Sequence, residues 1–134
     1  MSLAVGIDLQ PFVEVEDSLR QFGERYTRLL YTTAELRGLS SEPHLAARDL
    51  AMIFATKEAV MKVLGPSDDI PSWLEIEVRH VKECSASVAL SGVAAQLALR
   101  QGISHVAVSL GVARECAAAT AVAQKSKSGG MQSR

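Results

Sequence analysis

Asp8, Glu58 and Lys62 are the residues of this chain whose types and spacing suit chemistry on a phosphate. Glu58 and Lys62 stand four apart in FATKEAVMK, residues 54–62, and on an α-helix they share one face, with Lys57 turned away by about 100°. The surrounding positions, among them Leu50, Ile53, Phe54, Val60 and Leu64, are apolar. A charge buried there without a partner would cost several kcal/mol, so the pair must meet each other, water, a metal or a ligand. Two readings stay open. In one, Glu58 and Lys62 form an exposed helical ion pair contributing about 0.3–0.5 kcal/mol. In the other, Glu58 joins Asp8 as a second oxygen ligand of Mg²⁺, which takes one or two protein carboxylates and completes its octahedron with water and substrate phosphates, while Lys62 faces those phosphates as a point charge.

The elements that must bring these residues together are legible in the pattern of apolar positions. Alternation in LAVGIDL predicts a short buried strand with Asp8 near its end. Residues 13–30 read as a helix broken or bent at Gly23, and TTAELRG as a short helix with a Thr cap and Gly38 as its stop. The strongest signals bracket the central helix: Ser40, Ser41 or Glu42 as cap, Pro43 in the first turn, and Gly65-Pro66 at the end. WLEIEVRHV and SASVALSG predict a hairpin turning near Lys82-Glu83. Ser91 is expected to cap a helix that stops at Gly102, and SHVAVSL and CAAATAVA read as two final strands. Helices interleaved with hairpin-connected strands make an α+β domain over residues 1–124, followed by a tail, 125–134, expected to be disordered.

Composition narrows the function classes. A formal charge of −1 over 134 residues offers no basic field for a nucleic acid. No apolar run approaches the roughly 20 residues of a membrane span and no signal peptide is read, so a cytoplasmic location is expected. The aromatic share is 4%, which makes the expected core aliphatic. Cys84 and Cys116 have no metal-like spacing and read as reduced, half-buried thiols.

Five ordered stretches, GID, FATKEAVMKVLG, WLEIEV, LSGVA and VSLGV, resemble the signatures of the 4′-phosphopantetheinyl transferases, in the order of their small, holo-acyl-carrier-protein synthase branch. The resemblance implies that family's fold, an antiparallel sheet packed against a long central helix. It also implies transfer of 4′-phosphopantetheine from coenzyme A to a serine of an apo-acyl carrier protein, in fatty acid or polyketide biosynthesis. Asp8 and Glu58 would hold Mg²⁺, Lys62 would stabilise phosphate charge, and Glu58 or a water it orients would take the serine proton. By the same resemblance Gly65 and Ser109 stand in coenzyme A-binding motifs, and the expected assembly is a homotrimer with sites between protomers.

The chain departs from the family pattern at several positions. Ile53 stands where the family has Arg, Gly111 and Val112 where it has a hydroxyl residue and His, Pro11 where it often has a carboxylate, and Gly65-Pro66-Ser67 where it has Gly-Thr-Gly. Arg48 is the cation upstream on the same helix that could compensate at the far end of an extended ligand, with His44 and His105 as further candidates. The first helix opens with Glu14, Glu16 and Asp17, and its cations Arg20, Arg25 and Arg28 come later, an unusual face for an acidic carrier protein. These departures define the alternative: a repurposed or inactive relative that binds a carrier protein without transferring phosphopantetheine.

Overall fold

The computed structural model describes residues 1–126. Its elements are β1 (Ser2–Pro11), α1 (Phe12–Phe22), α2 (Glu24–Leu30), α3 (Thr33–Arg37), α4 (Pro43–Leu64), a 3₁₀ turn (Trp73–Glu75), β2 (Ile76–Lys82), β3 (Ser85–Leu90), α5 (Gly92–Arg100), β4 (Val106–Val112) and β5 (Cys116–Lys125). The five strands form one antiparallel sheet in the order β1-β5-β4-β3-β2, with α4 packed on one face, as the α+β reading requires.

Small residues bring helix and sheet together. Ala117, Ala119, Ala121 and Ala123 alternate along β5 toward α4 and are almost fully buried, and α4 answers with buried Ala47, Ala51, Ala55 and Ala59. β5, the neighbour of edge strand β1, therefore lies close under the helix, and the low aromatic content follows from this small-residue packing. Local signals fix the ends of α4: the Glu42 carboxylate accepts from the backbone N–H groups of His44 and Leu45, and Gly65 closes the helix in the left-handed conformation. Gly23 does separate α1 from α2, at φ 55° and ψ −127°.

A buried ion pair ties the smaller elements to α4. The Lys57 ammonium meets the Glu35 carboxylate at 2.8 Å, with both side chains fully inaccessible, and donates to the carbonyls of Leu30 at 2.7 Å and Trp73 at 2.9 Å. Glu35 in turn accepts from the backbone N–H of Thr32 at 2.8 Å and of Val78 at 2.7 Å. All three ammonium protons and both carboxylate oxygens are thus used. Burial pulls the Lys57 pKa below the ordinary lysine value, and Glu35 opposes that shift. Removing one partner of such a pair costs about 3–5 kcal/mol, because the other charge is left buried alone.

Some expectations are corrected. Asp8 stands three positions before the end of β1 rather than near it, because β5 pairs with the strand through Pro11. Ser91 makes no side-chain cap; Glu75, from the preceding 3₁₀ turn, accepts instead from the backbone N–H of Ala94 at 3.4 Å. The β2–β3 hairpin turns at Glu83-Cys84 with a bulge between Arg79 and Lys82, which leaves Cys84 exposed rather than half-buried. β5 runs through Lys125, one residue past the expected domain boundary, and the expected disordered tail from 127 onward lies outside the described residues.

Candidate functional site

Gly6, Asp8 and Gln10 alternate along β1 toward α4, whereas Leu3, Val5, Ile7 and Leu9 face the other way. Gly6 is the point of closest approach. A Cβ built there would lie 2.1 Å from the Ala59 carbonyl oxygen and 2.9 Å from the Lys62 Cβ, so any side chain would push strand and helix apart. A glycine inside a strand often marks a close backbone approach.

Two residues further along β1, Asp8 meets the face of α4 that carries Glu58 and Lys62. The Lys62 ammonium does not turn back to Glu58; it donates across to the Ile7 carbonyl at 2.6 Å and reaches the Asp8 Oδ1 at 3.4 Å. Burial, and after it the neighbouring Asp8 charge and a hydrogen bond with Asp8, push the Glu58 pKa up, while Lys62 pulls it back. Asp8 Oδ2 is buried and has no hydrogen-bond partner among the described residues. A buried, orphaned carboxylate oxygen beside a second carboxyl is what a hard divalent cation would satisfy, so these residues fit Mg²⁺. Among the described residues no group of three or more His, Cys, Asp and Glu side chains could hold a metal. Such an ion would therefore complete its shell with water and substrate oxygens.

The other expected residues lie apart. Gly65 follows Lys62 within one turn, at φ 53° and ψ 55°. Arg48 stacks over the Phe12 ring, 5.3 Å from its centroid, about 15 Å along the helix axis from Glu58, in an open cleft of about 640 Å³ that also holds His44, Arg114 and Glu115. His44 pairs with Glu16 at 3.2 Å. Ser109 pairs with Thr120, which pairs with Ile7, and it therefore lies on the face of the sheet opposite Asp8. His105 is exposed just before β4. Ile53 is buried beside a second cleft, of about 520 Å³, together with Leu39, Asp49, Val78, Arg79 and His80. Within one chain, then, Asp8, Glu58 and Lys62 converge, Gly65 ends α4 one turn beyond Lys62, and Arg48 and Ser109 do not join them. The sequence reading gives Gly6 no role beyond its place in GID, and Lys57 none beyond its rotation away from Glu58. The glycine inside an alternating strand was the available signal for the first, and nothing local signalled the second.

The sequence model of the 4′-phosphopantetheinyl transferase superfamily matches residues 4–121. The holo-[acyl-carrier-protein] synthase of Dehalococcoides mccartyi strain CBDB1 is 38% identical over 124 residues, covering 91% of this chain and 98% of the relative. That of Desulforudis audaxviator is 34% identical over 123 residues, covering 92% and 93%. Among solved structures, holo-ACP-synthase from Plasmodium yoelii superposes with a TM-score of 0.78 at 23% identity, covering 95% of this chain and all of that one. An ACPS–coenzyme A complex from Chronobacterium ammoniagenes gives the same TM-score, identity and coverage.

The raised Glu58 pKa sets a pH dependence in metal-free protein. A carboxyl whose folded pKa lies above its unfolded value favours the fold while protonated, and that contribution is lost as pH rises from the ordinary glutamate value through the folded one. Glu58→Gln is therefore expected to be more stable than the parent chain at neutral pH in chelator, with the difference shrinking below the ordinary glutamate range. Urea unfolding across pH checks this; equal stability at every pH would contradict the raised pKa that burial and the Asp8 charge give Glu58.

Proposed function

The chain belongs to the 4′-phosphopantetheinyl transferase superfamily and is an enzyme of that class, and on this premise we propose that it moves 4′-phosphopantetheine from coenzyme A to a serine of an acyl carrier protein, assisted by Mg²⁺. The observation that carries the reading is the unpartnered, buried oxygen of the Asp8 carboxylate, a group that neighbours both Glu58 and Lys62. Relatives that cover almost the whole chain are holo-[acyl-carrier-protein] synthases, and solved structures of the same fold include coenzyme A complexes. An enzyme that draws on coenzyme A fits a cytoplasmic setting, and among the described residues no helix is long and apolar enough to cross a membrane.

In this reading Asp8 and Glu58 hold the ion, which when bound neutralises charge on the pyrophosphate of coenzyme A. The Lys62 side chain is half exposed, so its ammonium can swing from the Ile7 carbonyl to a phosphate oxygen. The serine oxygen attacks the phosphorus that carries the pantetheine arm; the new O–P bond forms as the bridging pyrophosphate P–O bond breaks, and 3′,5′-ADP leaves. Glu58, or a water it holds, takes the serine proton. Positioning and charge stabilisation supply most of the acceleration in such a transfer.

The second reading, binding without transfer, draws on Ile53. It brings no charge to the cleft beside it, where Arg79 is the cation and Asp49 a carboxylate among the lining residues. Gly111 and Val112, at the end of β4, supply no hydroxyl and no imidazole. The two readings part at turnover of an apo-carrier protein.

A homotrimer is part of the proposal. Leu3, Val5, Ile7 and Leu9, each more than half exposed, line the uncovered face of β1, and the sheet continues this face through Val122 and Ser109. Four aliphatic side chains in one row are more than a lone chain usually leaves in water. Covering that face by other copies would also bring Ser109 of one chain toward a neighbour.

Asp8→Ala and Glu58→Ala should each lower Mg²⁺-dependent transfer to an apo-carrier protein at least about 100-fold with the fold intact. Transfer retained in Glu58→Ala would sink the metal assignment. Light scattering in solution should give three chain masses; a single chain mass at micromolar concentration would rule the trimer out.

A further inference from the structure

Lys57 stands next to Glu58 in sequence, yet its ammonium lies on the other side of α4, sealed from solvent. It touches no residue of the proposed site. Its three protons go to three separate segments: the end of α2 at Leu30, α3 at Glu35, and the 3₁₀ turn at Trp73. Through the second Glu35 oxygen the same network continues to the backbone of β2 at Val78. One helical turn earlier, the Phe54 ring stacks edge-on against the Trp73 ring at 5.2 Å. The turn of α4 that carries Glu58 is thus held from behind by directional bonds in three directions.

Apolar packing alone would not fix that turn so closely. A buried ion pair is seldom more stable than well-packed hydrophobic residues of the same volume. Its distinguishing property is direction, since three hydrogen bonds define the rotation and height of the helix where a methyl group would tolerate sliding. The rotation matters for Glu58. A carboxylate about 6 Å from the helix axis moves by about 1 Å when the helix turns by about 10°, and a misplacement of that size can lower a rate about 100-fold.

We propose that Lys57 and Glu35 are positioning residues for the transfer reaction, a clamp behind α4 that holds Glu58 opposite Asp8. The proposal rests on the reading of Glu58 as metal ligand and proton acceptor. Lys57 itself meets neither substrate nor metal. The lysine that precedes Glu58 therefore differs in kind from Lys62, which reaches the site directly.

The test compares the parent chain with Lys57→Met/Glu35→Gln, which removes both charges together and leaves no buried ion alone. Lys57→Gln/Glu35→Gln, which also leaves no buried ion alone, is the second variant if the first does not fold. Folding is read from circular dichroism and from the emission of Trp73, the chain's one tryptophan, whose carbonyl accepts from Lys57 and whose ring stacks on Phe54. For folded variant, kcat for transfer should fall between tenfold and 100-fold with KM for coenzyme A within about twofold. Mn²⁺ binding without coenzyme A, read by electron paramagnetic resonance, should weaken at least fivefold. A folded variant with parental kcat and Mn²⁺ affinity overturns the proposal. So does a KM for coenzyme A raised tenfold at unchanged kcat, which would make Lys57 a substrate contact. If the parent chain itself transfers nothing, the underlying reading of function has failed, and the Mn²⁺ comparison still decides whether the clamp positions Glu58.

Discussion

Everything in the candidate site depends on how closely β1 can lie on α4. The Gly6 backbone sits against the Ala59 carbonyl with no room for a methyl group. That contact sets the gap across which Asp8 faces Glu58 and Lys62 reaches the Ile7 carbonyl. A wider gap would leave Asp8 Oδ2 to water and relieve the strain between the carboxyl groups. The close approach therefore holds a charged arrangement whose natural complement is a cation.

The rest of the fold defends that contact from two sides. On the sheet side, the alternating alanines of β5 let α4 settle low over the centre, so that β1, the neighbouring edge strand, also reaches it. Behind α4, Lys57 and Glu35 collect α2, α3, the 3₁₀ turn and β2 onto one turn of the helix. The opposite face of the sheet shows the same division of labour. Its aliphatic row on β1 is left uncovered by the described residues, which leaves Ile7 with a carbonyl bonded to Lys62 and a side chain turned to the outside.

Much of this was legible in the sequence where the signals are local. Pro43 and Gly65-Pro66 delimit α4 because helix ends are decided by a few adjacent residues, and Gly23 breaks the first helical stretch for the same reason. Asp8, Glu58 and Lys62 could be singled out because charges amid apolar neighbours need partners. What was not legible depends on residues distant in the chain. Lys57 looked like one more charge on the helix, and only tertiary structure brings it Glu35 and the carbonyls of Leu30 and Trp73. Ser91 has the right chemistry for a cap, yet Glu75 arrives through space and takes the role. Strand alternation puts Ser109 on one face of β4, and which face α4 would cover could not be read from β4 alone.

The central claim is that Asp8 and Glu58 form a divalent-cation site through which Lys62 and that ion engage the pyrophosphate of coenzyme A. Titration calorimetry of the full chain with coenzyme A, in Mg²⁺ and in chelator, tests it most directly. The account predicts micromolar binding in Mg²⁺ that weakens at least tenfold when the ion is removed. Binding that is indifferent to Mg²⁺, or no binding at millimolar coenzyme A, would contradict it.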